Sequence, residues 1–174
     1  LFEDGERGRA HLSDAISRGA RMARLYPQDH HFSLASWCSG AMLQALSDSR
    51  MPLMLRHTQV SWEDVGRICR EYPGLPLIIE AVEQKILYHN RRLYPLMKRY
   101  HGLRLELHNF VAYLAVEDVV RRFGAERLVF GSYLPVNDPN TAMMLVTDAR
   151  ISDEEKRLIA RQNLLGLVEG VRVL

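Results

Sequence analysis

The stretch Arg127-Leu-Val-Phe-Gly-Ser-Tyr-Leu-Pro-Val-Asn-Asp-Pro139 decides how this chain is read. Arg127 to Phe130 is apolar and aromatic enough to predict a short buried strand that runs to Ser132. Gly131 and Ser132 let the backbone turn at its end. Pro135, Asn137 and Asp138 mark a loop, and Pro139 opens a helix. A strand that ends in glycine and leads through a loop into a helix is where α/β folds place their sites.

Working outward, the same unit recurs upstream. Leu103 to His108 alternates strictly, with Leu103, Leu105 and Leu107 on one face and Arg104, Glu106 and His108 on the other. Pro76 to Glu80, Pro52 to His57 and Arg21 to Tyr26 also read as strands. Helices are expected over His11 to Gly19, Trp37 to Ser47, Asn90 to Tyr100, Leu114 to Phe123 and Pro139 to Asp148. Ser61 with Asp64 caps a helix to Tyr72, and Ser152 with Glu155 forms a capping box for a last helix to Leu167. Leu1 to Arg9 is expected to fray, Gln28 to Ala35 to form a loop, and Gln84 and Lys85 to lie in another. The strand ends fall about 23 to 32 residues apart, the length of a βαβ step, so the sheet is expected to be parallel.

Two architectures fit one domain over residues 1–174. A doubly wound sheet holds five strands directly, but its central strands are apolar on both faces. A (β/α)8 TIM-type barrel needs about 250 residues, of which this chain would supply the last five (β/α) units. The polar face of Arg104, Glu106 and His108 suits the barrel, whose strands carry polar groups inward near the site. A flavodoxin-like domain would want a glycine-rich turn after the first strand. The turn here is Tyr26-Pro-Gln-Asp29.

Composition bounds the function. The chain of 174 residues is 47% apolar and 25% charged, with net charge +2, as in an ordinary globular domain. That balance calls for neither nucleic acid nor an anionic membrane as partner. No apolar run approaches the roughly 20 residues of a membrane span. Leu1 to Arg7 is too polar for a signal peptide, and the lack of an initiator Met fits a piece of a longer protein. Cys38 and Cys69 form no CxxC; they read as buried free thiols in a reducing, cytoplasmic setting.

Chemistry gathers at the strand ends: Arg24 and Tyr26, His57, Glu80, His108, and Ser132 with Tyr133. In a parallel sheet these ends lie on one side, so the groups can converge. Each also has a structural explanation. His57 could cap a turn, Glu80 pair with Arg56 or Lys85, His108 satisfy a backbone group, and Arg24 pair with Glu106. His30-His31 lies in a loop with no third ligand near in sequence, which favours a surface or substrate-side role over a metal. Glu117-Asp118, Asp153 to Glu155 and Arg121-Arg122 complement helix dipoles. Met143-Met144 reads as core.

These residues carry a resemblance. Arg24-Leu-Tyr-Pro27 with His31, Pro52 to His57, Gly124-Ala-Glu-Arg-Leu-Val-Phe-Gly-Ser132, and Ile151-Ser-Asp-Glu-Glu-Lys156 with Ile159 and Asn163 are similar to the C-terminal part of amidohydrolase-related barrels, a family of metal-dependent hydrolases and decarboxylases. The resemblance covers about residues 20 to 168. It implies a small carbonyl-containing substrate, a zinc-like divalent metal with His57 as a ligand, Glu80 and His108 as catalytic groups, and Arg24, His31 and Tyr133 facing substrate. The departures are specific. The family's eighth strand ends in Gly-Ser or Gly-Thr followed by a metal-binding, proton-accepting Asp; here that position is Tyr133. The sixth-strand His is replaced near Glu80. The resemblance therefore implies a hydrolase with an altered, metal-free site, or a non-catalytic relative that binds a ligand or partner. Five units of an eight-unit barrel leave two sheet edges open, so more chain or a homo-oligomer contact is expected to cover them.

Overall fold

The computed structural model describes residues 5–80 and 89–174. The loop expected through Gln84 and Lys85 lies outside the described residues, as does Lys85 as a partner for Glu80. Five strands, β1 (Ala23–Leu25), β2 (Leu53–Arg56), β3 (Leu77–Glu80), β4 (Leu103–Glu106) and β5 (Leu128–Val129), form one sheet in the order β1-β2-β3-β4-β5. Every neighbouring pair is parallel. A doubly wound or flavodoxin-like sheet reverses its strand order at a switch point. Strands added one after another in sequence order are the arrangement of a barrel sector, so those two alternatives fall.

Each strand is followed by a helix: α2 (Ser36–Asp48), α3 (Trp62–Glu71), α4 (Asn90–Arg99), α5 (Ala115–Phe123) and α6 (Pro139–Thr147), with α1 (Gly5–Ser17) ahead of β1. The α3 apolar side chains at Trp62, Val65 and Ile68, and those of α5 at Val116, Val119 and Val120, follow the helical period and are buried. They join Leu53, Leu55, Leu77, Ile79, Leu103, Leu105 and Leu107 in one core between sheet and helices. Each of these leucines is 0 or 1% exposed, a burial worth about 1.5–3 kcal/mol per side chain. The strict alternation then turns Arg24, Arg56, Glu80, Arg104 and Glu106 to the other face.

The expected caps form. Ser61 accepts from the Asp64 N–H, and Ser152 with Glu155 makes the full capping box. Gly19, at φ +100°, stops α1. Four expectations are corrected. The chain is helical from Gly5 onward instead of fraying to Arg9, and Arg9 donates to Asp48 on α2 at 2.6 Å. Strand β5 is two residues long, because Ala125–Arg127 is a 3-10 turn and the Phe130 N–H leaves the sheet for the Ile159 carbonyl at 3.0 Å. That carbonyl lies in a π-helical segment, Leu158–Gln162, between α7 (Asp153–Arg157) and α8 (Asn163–Glu169). A π turn frees carbonyls from the regular ladder. Strand β4 stops at Glu106, whose carboxylate takes the His108 N–H at 2.9 Å. Met143 and Met144 are exposed rather than core.

Cys38 and Cys69 are free, and both are partly rather than fully buried. Burial pushes the Cys69 thiol up to about 12, with Arg127 opposing it slightly. The thiolate is the nucleophile, so Cys69 is expected to stay unlabelled by iodoacetamide at pH 8 in the native chain. Peptide mass spectrometry before and after denaturation checks this; labelling of native Cys69 at the denatured rate would disprove it.

Candidate active site

Apart from Arg104, the polar residues of the inner face form one connected group at the carboxyl ends of the strands. Both carboxylate oxygens of Glu80, at the end of β3, accept from Nη2 of Arg24 on β1. Arg56, paired in register with Glu80, brings its Nε within 3.5 Å of the same carboxylate. Arg56 Nη2 also donates to the Tyr133 hydroxyl at 2.6 Å. Its guanidinium lies 5.2 Å from the centroid of the Tyr26 ring and 5.5 Å from that of Tyr133. Arg56 thus links the end of β1 to the loop after β5 through two cation–π contacts.

Tyr133 leads to the second half of the group. Its ring stacks on His108, with centroids 4.7 Å apart and planes 17° apart. His108 Nδ1 meets Glu106 Oε2, and the His108 N–H donates to Glu106 Oε1. Glu106 and His108 are each about 5% exposed, so this pair is held in a dry environment. Two local features place it. Gly131 lies against Glu106, and a Cβ there would sit 1.8 Å from Glu106 Oε1. Tyr133 has φ +55°, a left-handed conformation that costs a non-glycine residue about 1–3 kcal/mol. The strained backbone turns the phenol back over His108.

Of the residues singled out from sequence, the structure brings together Arg24, Glu80, His108 and Tyr133. Arg24 pairs with Glu80, not with Glu106 as expected, because Glu106 is engaged by His108. His57 stands beside the group. Its N–H donates to the Glu80 carbonyl at 3.1 Å, and its Nδ1 lies 3.3 Å from the same oxygen. Its ring packs 5.6 Å from His89, which lies 5.6 Å from Trp62. His31 is exposed in the turn after β1, at φ +53°. Gln59 fixes that turn by accepting from the N–H groups of Gln28 and Asp29.

The donor set among the described residues does not by itself hold a divalent metal. Among the described residues no three His, Cys, Asp or Glu side chains gather as ligands. Glu80 is held by Arg24 and Arg56, and the Tyr133 hydroxyl by Arg56. The sequence reading passed over two members. Arg56 was noted only as a partner for Glu80, and Glu106 only as one for Arg24. The Glu106-x-His108 spacing was the available signal, since residues two apart on a strand share a face.

Five parallel strands in sequence order, with polar groups converging at their carboxyl ends, define a sector of a TIM-type barrel. Solved structures agree. An uncharacterised TIM-barrel protein from Bordetella bronchiseptica matches with TM-score 0.76 and 15% identity over 95% of this chain and 64% of that one. A dihydroxybenzoic acid decarboxylase from Polaromonas sp., solved with manganese and an inhibitor, matches with TM-score 0.70 and 14% identity over 95% and 66%. A candidate amidohydrolase from Staphylococcus aureus matches with TM-score 0.71 and 15% identity over 97% and 71%. The fold shared with these proteins is that of a TIM-type barrel. At these identities the likeness concerns the fold, and the chain spans about two thirds of the length of these neighbours. No protein-family model and no curated protein matches the chain. Among the described residues no helix is long and apolar enough to cross a membrane.

Proposed function

We propose that the chain carries the active-site face of an amidohydrolase-like hydrolase that acts on a small carbonyl-containing substrate without a metal set of its own. The observation that carries this reading is the Glu106–His108–Tyr133–Arg56 unit at the carboxyl ends of the strands. Glu106 engages His108 Nδ1 and so fixes the ring, which leaves Nε2 to take a proton from an attacking water and return it to the leaving group. The Glu106 carboxylate stabilises the imidazolium formed in between. The Tyr133 hydroxyl, held by Arg56, is placed to donate to the substrate carbonyl oxygen as negative charge develops there. Arg24, on the partly open side, and His31, in the turn after β1, are assigned to binding substrate. Glu80 positions the two arginines. The two free thiols fit a reducing, cytoplasmic setting.

The test is turnover of a panel of esters, lactones, amides and β-keto acids by the full-length protein. His108→Ala is expected to lower kcat by about 10²–10⁴-fold. Full activity in that variant would refute the assignment. A folded protein that binds members of the panel but turns over none would favour a second reading, a barrel that holds a ligand or partner without chemistry. The pairing of Glu80 with Arg24 and Arg56 is the observation on that side.

A further inference from the structure

At the opposite, amino-terminal ends of the strands lies a cavity of about 290 Å³. The loop Pro73–Pro76 that enters β3, Gly102 ahead of β4, and Gly166 and Gly170 of the C-terminal segment wall it, together with Arg50 and Arg104. None of the residues that line it carries a carboxylate. A side chain at Gly74 would approach the Ser47 hydroxyl to 3.1 Å, whereas a Cβ at Gly166 would meet nothing within 4 Å. The space is thus left open on the helix side.

The two arginines share this cavity with no acidic residue in its lining. Arg104 donates from Nη1 to the Gly102 carbonyl at 3.1 Å, and its Nε is buried without an acceptor among the described residues. Burial pushes its pKa below the usual guanidinium value, and Glu126 offsets this only in part, with no ion pair between them. Arg50 is exposed, and its side chain makes no hydrogen bond or ion pair among the described residues. It follows the helix cap Ser49 at φ +53°, a position where glycine is unstrained and any other residue costs about 1–2 kcal/mol. The left-handed residue closes α2, with the Met51 N–H on the Leu46 carbonyl at 2.9 Å, a role that does not call for an arginine.

We propose that this cavity binds a small oxyanion, a phosphate either free or carried on a metabolite, between Arg50 and Arg104. Two guanidinium groups match the near-dianionic charge of phosphate at neutral pH, and their planar donor forks fit its oxygens. The site is separate from the strand-end group, so its occupancy is measured without reference to turnover.

Isothermal titration of the full chain with inorganic phosphate, and separately with glycerol 3-phosphate, at ionic strength fixed with sodium chloride, tests this. One saturable site is expected for at least one of the two ligands, and the tighter of them identifies the source. Arg50→Met and Arg104→Met are each expected to weaken binding at least tenfold. Gly166→Leu, which projects a side chain into the open space and leaves both charges intact, is expected to do the same. If Arg104→Met does not fold, Arg50→Met and Gly166→Leu decide. Absence of saturable binding of either ligand, or binding unchanged in these two variants, would overturn the proposal.

Discussion

Gly131→Ala is expected to destabilise the chain by about 2–4 kcal/mol and to dismantle the Glu106–His108 pair. The added methyl would stand 1.8 Å from Glu106 Oε1 and 2.5 Å from its Cδ, well inside contact distance. Glu106 has nowhere to retreat, because it is buried and bound to His108 through both carboxylate oxygens. Moving it would strand the His108 N–H and imidazole in a dry site and leave a buried carboxylate without partners. Such groups lose their full desolvation energy when their partner leaves, which is why one methyl has so large an effect. The measurement is the urea midpoint of the variant together with the ¹⁵N chemical shifts of the His108 ring. Activity is expected to fall with that of His108→Ala. An unfolding free energy within about 0.5 kcal/mol of the parent, with unchanged ring shifts, would show that Glu106 is not confined as described.

Gly131 also shows what a sequence gives and withholds. Its position after an apolar strand marked the end of that strand, and turn-making was the reason inferred. Its backbone needs no positive φ; the structural reason is the approach of Glu106 from β4. That is a tertiary contact, with no trace in the local pattern. The alternation of Leu103 to His108 was fully legible, because a strand's period of two assigns each residue to a face. The caps at Ser61 and Ser152 were legible because their partners lie three residues away. Strand β5 is shorter than expected because Phe130 is apolar enough for a strand, while its N–H is drawn out of the sheet by the Ile159 carbonyl in the π-helical segment. Tyr133 was read as the loss of an acid. That it stacks on His108 and meets Arg56 depends on register and on a left-handed backbone, neither of which is written in residue order. The pairing of Arg24 with Glu80 instead of Glu106 has the same cause. Two acids, Glu80 and Glu106, share the inner face with Arg24, and geometry alone selects between them.

Glu80→Ala is expected to cost about 2–3 kcal/mol, and the comparison with Glu80→Gln separates two roles for this residue. Removing one partner of a buried ion pair usually costs about 3–5 kcal/mol. The lower figure applies because the Arg24 side chain is 35% exposed and that of Arg56 is 20% exposed, so water screens part of the loss. In Glu80→Ala two guanidinium groups are left facing each other, both packed near the Tyr26 ring at 5.3 and 5.2 Å. Their repulsion should be relieved by salt, so the variant's unfolding midpoint is expected to rise more than the parent's on going from 0.05 to about 1 M sodium chloride. Glu80→Gln keeps the shape and loses the charge. If Glu80 is a general base, Glu80→Gln should abolish turnover while binding stays intact. If it positions Arg24 and Arg56, substrate binding should weaken and KM rise, with kcat reduced only as far as Tyr133 loses the donor that holds its hydroxyl. Both carboxylate oxygens accept from Arg24 and lie beside Arg56, the arrangement of a group that positions its neighbours. The structure therefore favours the rise in KM, and loss of kcat alone at unchanged KM would return Glu80 to the role of base.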